Sequence, residues 1–216
     1  MKIVHTKRKT IVLVVENDGS LTVRAPLWAS RVKIEQFIKE KSEWIQKRQE
    51  WIRLHSDASH RFEEGELFYF LGKAYPLVYA SNLQQQFFFN DKFHLSRSQQ
   101  NHAKKVFIAW YRDRARQIIS ERIIILAKCH DFSYKQIRIT SARTRWGSCS
   151  SRGTLNFSWR LVMAPLEVID YVIVHELAHL RIKNHSADFW KFLGQISPDY
   201  KSHRLWLKEN GVRLNL

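Results

Sequence analysis

Between Pro165 and Arg181 the chain is apolar on nearly every side of a helix: Val168, Ile169, Val172, Ile173, Val174, Leu177 and Leu180 leave no clear solvent face. A helix of that kind is buried, so the rest of the fold must close around it. Yet it also carries His175, Glu176 and His179. Polar groups held there must be hydrogen-bonded, paired or metal-bound, because an unsatisfied one costs a few kcal/mol.

Two histidines four residues apart lie one helical turn from each other on the same face, where their imidazoles can converge on one ion. Glu176, adjacent to His175, reaches the water that such an ion binds. His185 follows six residues after His179, beyond Lys183 and Asn184, where the helix should already have broken. A chain reversing there brings a third imidazole back over the first two. Zinc prefers nitrogen donors of this kind and, in catalytic sites, takes three protein ligands plus a water. A structural zinc usually saturates four positions, often with cysteine, and this window offers none. The expectation is Zn2+ held by His175, His179 and His185, with Glu176 as general base. The plainer alternative, core histidines satisfied by backbone carbonyls, needs a separate partner for each group.

The segment before this helix is cationic. No Asp or Glu lies between Phe132 and Leu166, whereas Lys135, Arg138, Arg143, Arg145, Arg152 and Arg160 all do. Arg143 and Arg145, two apart, would share one face of a regular strand. Either can clamp a phosphate or carboxylate of a substrate; the competing reading is a strand edge guarded by charge. The chain as a whole has 36 Lys and Arg against 20 Asp and Glu, a formal +16. Such a field attracts anionic partners, nucleotides and nucleic acid among them.

Residues 11–15 and 21–24 read as a hairpin turning at Asn17-Asp18-Gly19-Ser20. Helical periodicity covers about residues 30–54 as one long or two short helices, with Ser30 as N-cap and Trp44 and Trp51 in the core. Strand pairs follow at 67–71 with 75–79 and at 87–89 with 93–95, then a helix over 99–128. Strands are expected at 136–142 and 154–162, enclosing a turn-rich stretch from Trp146 to Gly153. Helices near 186–196 and 199–210 close the chain, with Gly211 as a stop and His203 exposed. These elements give an α+β protein, strand-rich over 1–96 and helix-rich over 97–216.

No apolar run approaches the roughly 20 residues of a membrane-spanning helix. The N-terminus turns charged before a signal core can form. Two cysteines, Cys129 and Cys149, are too few for a disulfide framework. A cytoplasmic, reducing setting is expected, with Cys149 packing rather than reacting. Asp188 is either a partner orienting a ligand imidazole or a helix N-terminal carboxylate.

His175-Glu176-Leu177-Ala178-His179-Leu180, the gap to His185 and Phe189-Trp190 resemble the YgjP-like metallopeptidase family, related to the WLM and SprT-like zincins. Arg145-Trp146-Gly147-Ser148-Cys149-Ser150 with Leu155-Asn156 resembles that family's segment before the metal helix. The close match covers roughly residues 130–210. The resemblance implies a minimal zincin-like fold with a small sheet beside the metal helix. It also implies zinc on the same three histidines and Glu176 as base. Peptide hydrolysis leads. Pyrophosphohydrolysis of nucleoside triphosphates, and a basic nucleic-acid-associated module with a structural metal, are the alternatives.

Overall fold

A computed structural model describes residues 1–16, 18–55, 60–81 and 85–216, and shows a mixed α+β chain in two compact units, Met1–Ser59 and His60–Leu216. Among the described residues the strands form three small sheets.

In the first unit β1 (Lys2–Thr6), β2 (Val12–Val15) and β3 (Leu21–Pro26) pair in the order β1-β3-β2. The expected hairpin is the antiparallel β2–β3 pair. Its Asn17 lies outside the described residues. At its turn Gly19 has φ +80° and Asp18 accepts from the Ser20 N–H at 2.9 Å. β1 was not legible in the charged N-terminus; it lies parallel to β3. Leu21, Val23 and Ala25 point inward at period two and meet Ile34 and Ile45. These last belong to α1 (Arg31–Glu40), capped by the Ser30 hydroxyl on Lys33 N, and α2 (Ser42–His55). Trp44, expected in the core, is 49% exposed, and the Trp51 side chain lies outside the described residues.

The second unit is built on α3 (Ala103–Cys129), preceded by a 3-10 turn at Arg97–His102. Phe107, Tyr111, Ala115, Ile119 and Ile123 recur every four residues and are fully buried. Burial of each large apolar side chain contributes about 1.5–3 kcal/mol. One side of α3 meets the aromatic face of a sheet ordered β4 (Leu67–Phe70), β5 (Lys73–Ala80), β7 (Phe93–Ser96), β6 (Phe87–Phe89). Phe68 and Phe93 lie 4.4 and 5.1 Å from the Phe107 ring. The change of texture at residues 96–97 therefore falls inside one shared core.

A third sheet has β10 (Thr154–Ser158) at its centre, parallel to β8 (Gln136–Thr140) and antiparallel to β9 (Gly147–Cys149). Two expectations are corrected here. The stretch read as turns contains β9. Residues 159–162, read as strand, form a 3-10 turn (Trp159–Met163) in which Leu161, Val162 and Met163 are buried in succession. Consecutive burial excludes the alternation of a half-exposed strand. Leu71 N and Gly72 N donate to Val162 O and Met163 O, tying this turn to the β4–β5 hairpin.

α4 (Leu166–Arg181) starts just after Pro165 and is buried almost all round, as its composition requires. Arg122 of α3 grips Asp170 of α4 with a two-point fork at 2.7 and 2.5 Å. α5 (Ala187–Ile196) and α6 (Tyr200–Asn210) follow as expected. Gly211 is no left-handed stop: its φ is −58° and a 3-10 turn continues from it. It is small for another reason, since a Cβ there would lie 2.9 Å from the Trp146 ring. Among the described residues, no helix is long and apolar enough to cross a membrane.

Candidate metal centre

α4 carries His175 and His179 one turn apart, their ring centroids 4.9 Å from each other. The helix ends immediately after them. Ile182 N closes the last turn on Ala178 O, and the Ile182 carbonyl accepts the Nδ1–H of His179 at 3.0 Å. That bond fixes the His179 tautomer and frees its Nε2 lone pair. The chain then reverses, and Ser186 caps α5 on Phe189 N, leaving His185 just before the new helix. Its Nε2 lies 3.0 Å from Nε2 of His175 and 3.2 Å from Nε2 of His179. Ligand atoms of all three fall within 4.8 Å of one another.

These nitrogens fit a cation. Ligands at the usual zinc–nitrogen distance of about 2.0–2.1 Å, spaced tetrahedrally, sit roughly 3.3 Å apart. Three facing imidazole nitrogens cannot satisfy one another, whereas one ion satisfies all three. Electrostatics agree: burial, then His179, His185 and Arg204, pushes His175 down to about 3. Burial, then His179 and Arg204, also lowers His185. Neutral imidazole is the form that binds metal.

Aromatic rings hold the three in place. Phe189, fully buried, stacks on His179 at 4.5 Å and lies 5.0 and 4.9 Å from His175 and His185. Trp190 stacks on His185 at 5.5 Å, Tyr200 stacks on Trp190, and the Arg204 guanidinium sits 4.8 Å from the Trp190 ring centre. Tyr171, one turn before His175, packs 5.9 Å from it and 6.1 Å from His203. Burial pushes its hydroxyl up to about 12, so it stays a proton donor. His203 is thus not exposed as expected, because α6 folds back onto α4 beside Tyr171.

Glu176 is 6% exposed and leans on β9. A Cβ at Gly147 would lie 2.6 Å from its Oε1, so only glycine leaves room for the carboxylate. Burial raises Glu176 to about 7, against the pull of Arg145 and of a bond from the Cys149 backbone N–H. A carboxyl poised there exchanges protons at neutral pH.

Arg145 is exposed and near enough to Glu176 for its charge to be felt. Arg143 is exposed on a bend two residues before it, neither residue lies on a strand, and the charge of Arg143 is felt by Arg160. Asp188 is in the first turn of α5, and among the described residues no hydrogen bond joins it to a histidine, which favours the helix-terminal role. Cys149 packs against the core, and burial pushes its thiol up. Gly147, Tyr171 and Arg204 were not singled out from sequence. Tyr171 precedes His175 by four residues on the same helix, a spacing the sequence does offer, whereas the parts of Gly147 and Arg204 depend on contacts between elements.

A mixed α+β fold around a buried helix brings three imidazoles together as a group that could hold a metal ion, with a buried carboxylate on the same helix, the class of site a metal-binding protein presents. The chain belongs to the YgjP-like family: the family model for the YgjP-like metallopeptidase domain matches residues 9–210. No curated protein and no solved structure matches it.

Proposed function

We propose that the protein is a zinc-dependent peptidase, with zinc on His175, His179 and His185 and Glu176 as general base. The observation that carries this reading is the approach of three imidazole Nε2 atoms, at 3.0 and 3.2 Å, beside a carboxyl raised to about 7. When bound, zinc supplies Lewis-acid chemistry, polarising a carbonyl oxygen and bringing the pKa of water from about 16 to about 7. Glu176 takes the proton of the attacking water and returns it to the leaving amine. Gly147 leaves space for that carboxylate, and the Cys149 N–H orients it. Arg145 and Arg143 attract the anionic part of a substrate.

Catalysis in this reading belongs to residues 97–216, which contain every group named. A cytoplasmic setting goes with it, as both cysteines are free thiols. The basic flank favours one second reading, hydrolysis of a nucleoside triphosphate's phosphoanhydride. A peptide library and a nucleotide panel, offered in parallel to zinc-loaded protein, test the choice. Peptide cleavage that falls at least a hundredfold in Glu176→Gln, with zinc retained, supports the proposal. Turnover confined to nucleotides overturns it.

A further inference from the structure

Next to Glu176, on the other side of Gly147, opens a cleft of about 370 Å³. Its walls include Arg145, Thr140, Ser148, Asn156 and Ser158, and no acidic residue lines it. Most of its polar groups are already engaged. Ser158 donates to Ala142 O, Thr140 to Phe157 O, and the Asn156 amide to Ser148. Besides the Trp146 indole N–H, two side-chain donors of the lining remain uncommitted among the described residues. The Ser148 hydroxyl accepts from Asn156 and keeps its own proton to give. Arg145 makes no ion pair or hydrogen bond among the described residues, so its whole guanidinium fork is available.

A second cation stands behind the wall. Arg160 is 6% exposed, lies 4.1 Å over the Trp159 ring, and donates to Asn215 Oδ1 at 2.9 Å and to Ser141 O at 3.3 Å. Ser141 lies between Thr140 and Ala142, both of which line the cleft. No carboxylate pairs with Arg160 among the described residues. Its buried charge therefore adds to the positive potential of the cleft without offering hydrogen bonds to an occupant.

We propose that this cleft is a specificity subsite that takes the side-chain carboxylate of an acidic residue beside the scissile bond of a peptide substrate. One guanidinium fork and one hydroxyl match the two oxygens of a carboxylate. A di- or triphosphate would need further donors for each added charge, and Arg160 is turned inward. The placement also fits: Gly147 lines the cleft and lies against Glu176, so an occupant of the cleft is next to that carboxylate. The proposal rests on the peptidase reading above and adds the substrate class.

The test uses full-length protein and one quenched-fluorescence peptide scaffold carrying Asp, Asn or Lys at each position near the scissile bond. Hydrolysis is read on zinc-loaded protein, and fluorescence polarisation reads binding of the same peptides to metal-free protein. One position is expected to favour Asp over Asn about tenfold in kcat/KM, with Lys worst, and the binding order should follow. Arg145→Gln should bring the Asp/Asn ratio to about one in both readouts, and Arg145→Glu should make Lys the preferred residue. Arg145 is on the surface, so these variants fold. Cleavage without an acidic preference, or a preference that Arg145→Gln leaves intact, overturns the subsite and spares the peptidase reading. Arg145-dependent binding of Asp peptides with none of them cleaved overturns the peptidase reading, and with it the scissile bond, and leaves the cleft as a carboxylate-binding site only.

Discussion

Gly147 and Glu176 are in contact across the gap between β9 and α4, so closely that a methyl group on Gly147 would sit 2.6 Å from the Glu176 carboxylate oxygen. The smallest residue in the sheet thus sets the position of the buried carboxylate in the helix.

Gly147→Ala is expected to displace Glu176 and leave the histidines in place. Overpacking of this kind costs about 1–3 kcal/mol. The variant should keep its metal stoichiometry and unfold at somewhat lower urea, while turnover falls much further than stability does. Turnover equal to wild type would show that the carboxylate can shift without consequence.

Burial raises Glu176 from an ordinary 4.5 to about 7. A carboxyl raised in the folded state contributes its stability in full below the unfolded pKa and loses it as pH climbs through the folded one. Between about pH 4.5 and 7, metal-free wild type should lose stability on this account. Glu176→Gln removes that slope. Compared by urea unfolding of metal-free protein, the variant should gain on wild type from pH 5 to pH 8, by an amount on the order of 2–3 kcal/mol. His175, lowered to about 3, acts with opposite sign, its contribution being present above 6.5 and lost as pH falls. It is common to both proteins, and the difference between them isolates Glu176. A pH-independent difference would mean that Glu176 is solvated.

Phe189 touches all three imidazoles and is fully buried. Phe189→Leu keeps an apolar core there but removes the flat surface against His179. Zinc affinity, read by competition with a chelator, should weaken by about tenfold or more, the scale on which groups supporting metal ligands act. Phe189→Ala should in addition cost about 3–5 kcal/mol of stability. Unchanged affinity in both would mean that the imidazoles need no such support.

The metal helix is legible in sequence because its all-round apolar character makes His175, Glu176 and His179 anomalous. His185 is legible because Lys183 and Asn184 mark a break. The hairpins and helices follow from turn chemistry and periodicity. What was not legible is tertiary. β9 is three residues long and exists because β10 lies beside it. Residues 159–163 have the β-branched and aromatic texture of a strand but enter the core, where every side chain is buried and alternation has no meaning. Arg143 and Arg145 lie on irregular backbone between β8 and β9 rather than on a regular strand, so the period-two argument for a shared face does not apply to them. His203 and Arg204 reach the site only once α6 folds back on α4.

The central claim is that one ion sits on three imidazoles. X-ray absorption at the zinc edge, on metal-free protein loaded with one equivalent of zinc, reads the coordination directly. The account predicts three imidazole nitrogens at about 2.0–2.1 Å, with His185→Ala reducing them to two. Zinc that fails to bind, or binds through sulfur or carboxylate with the His185 substitution making no difference, would contradict it.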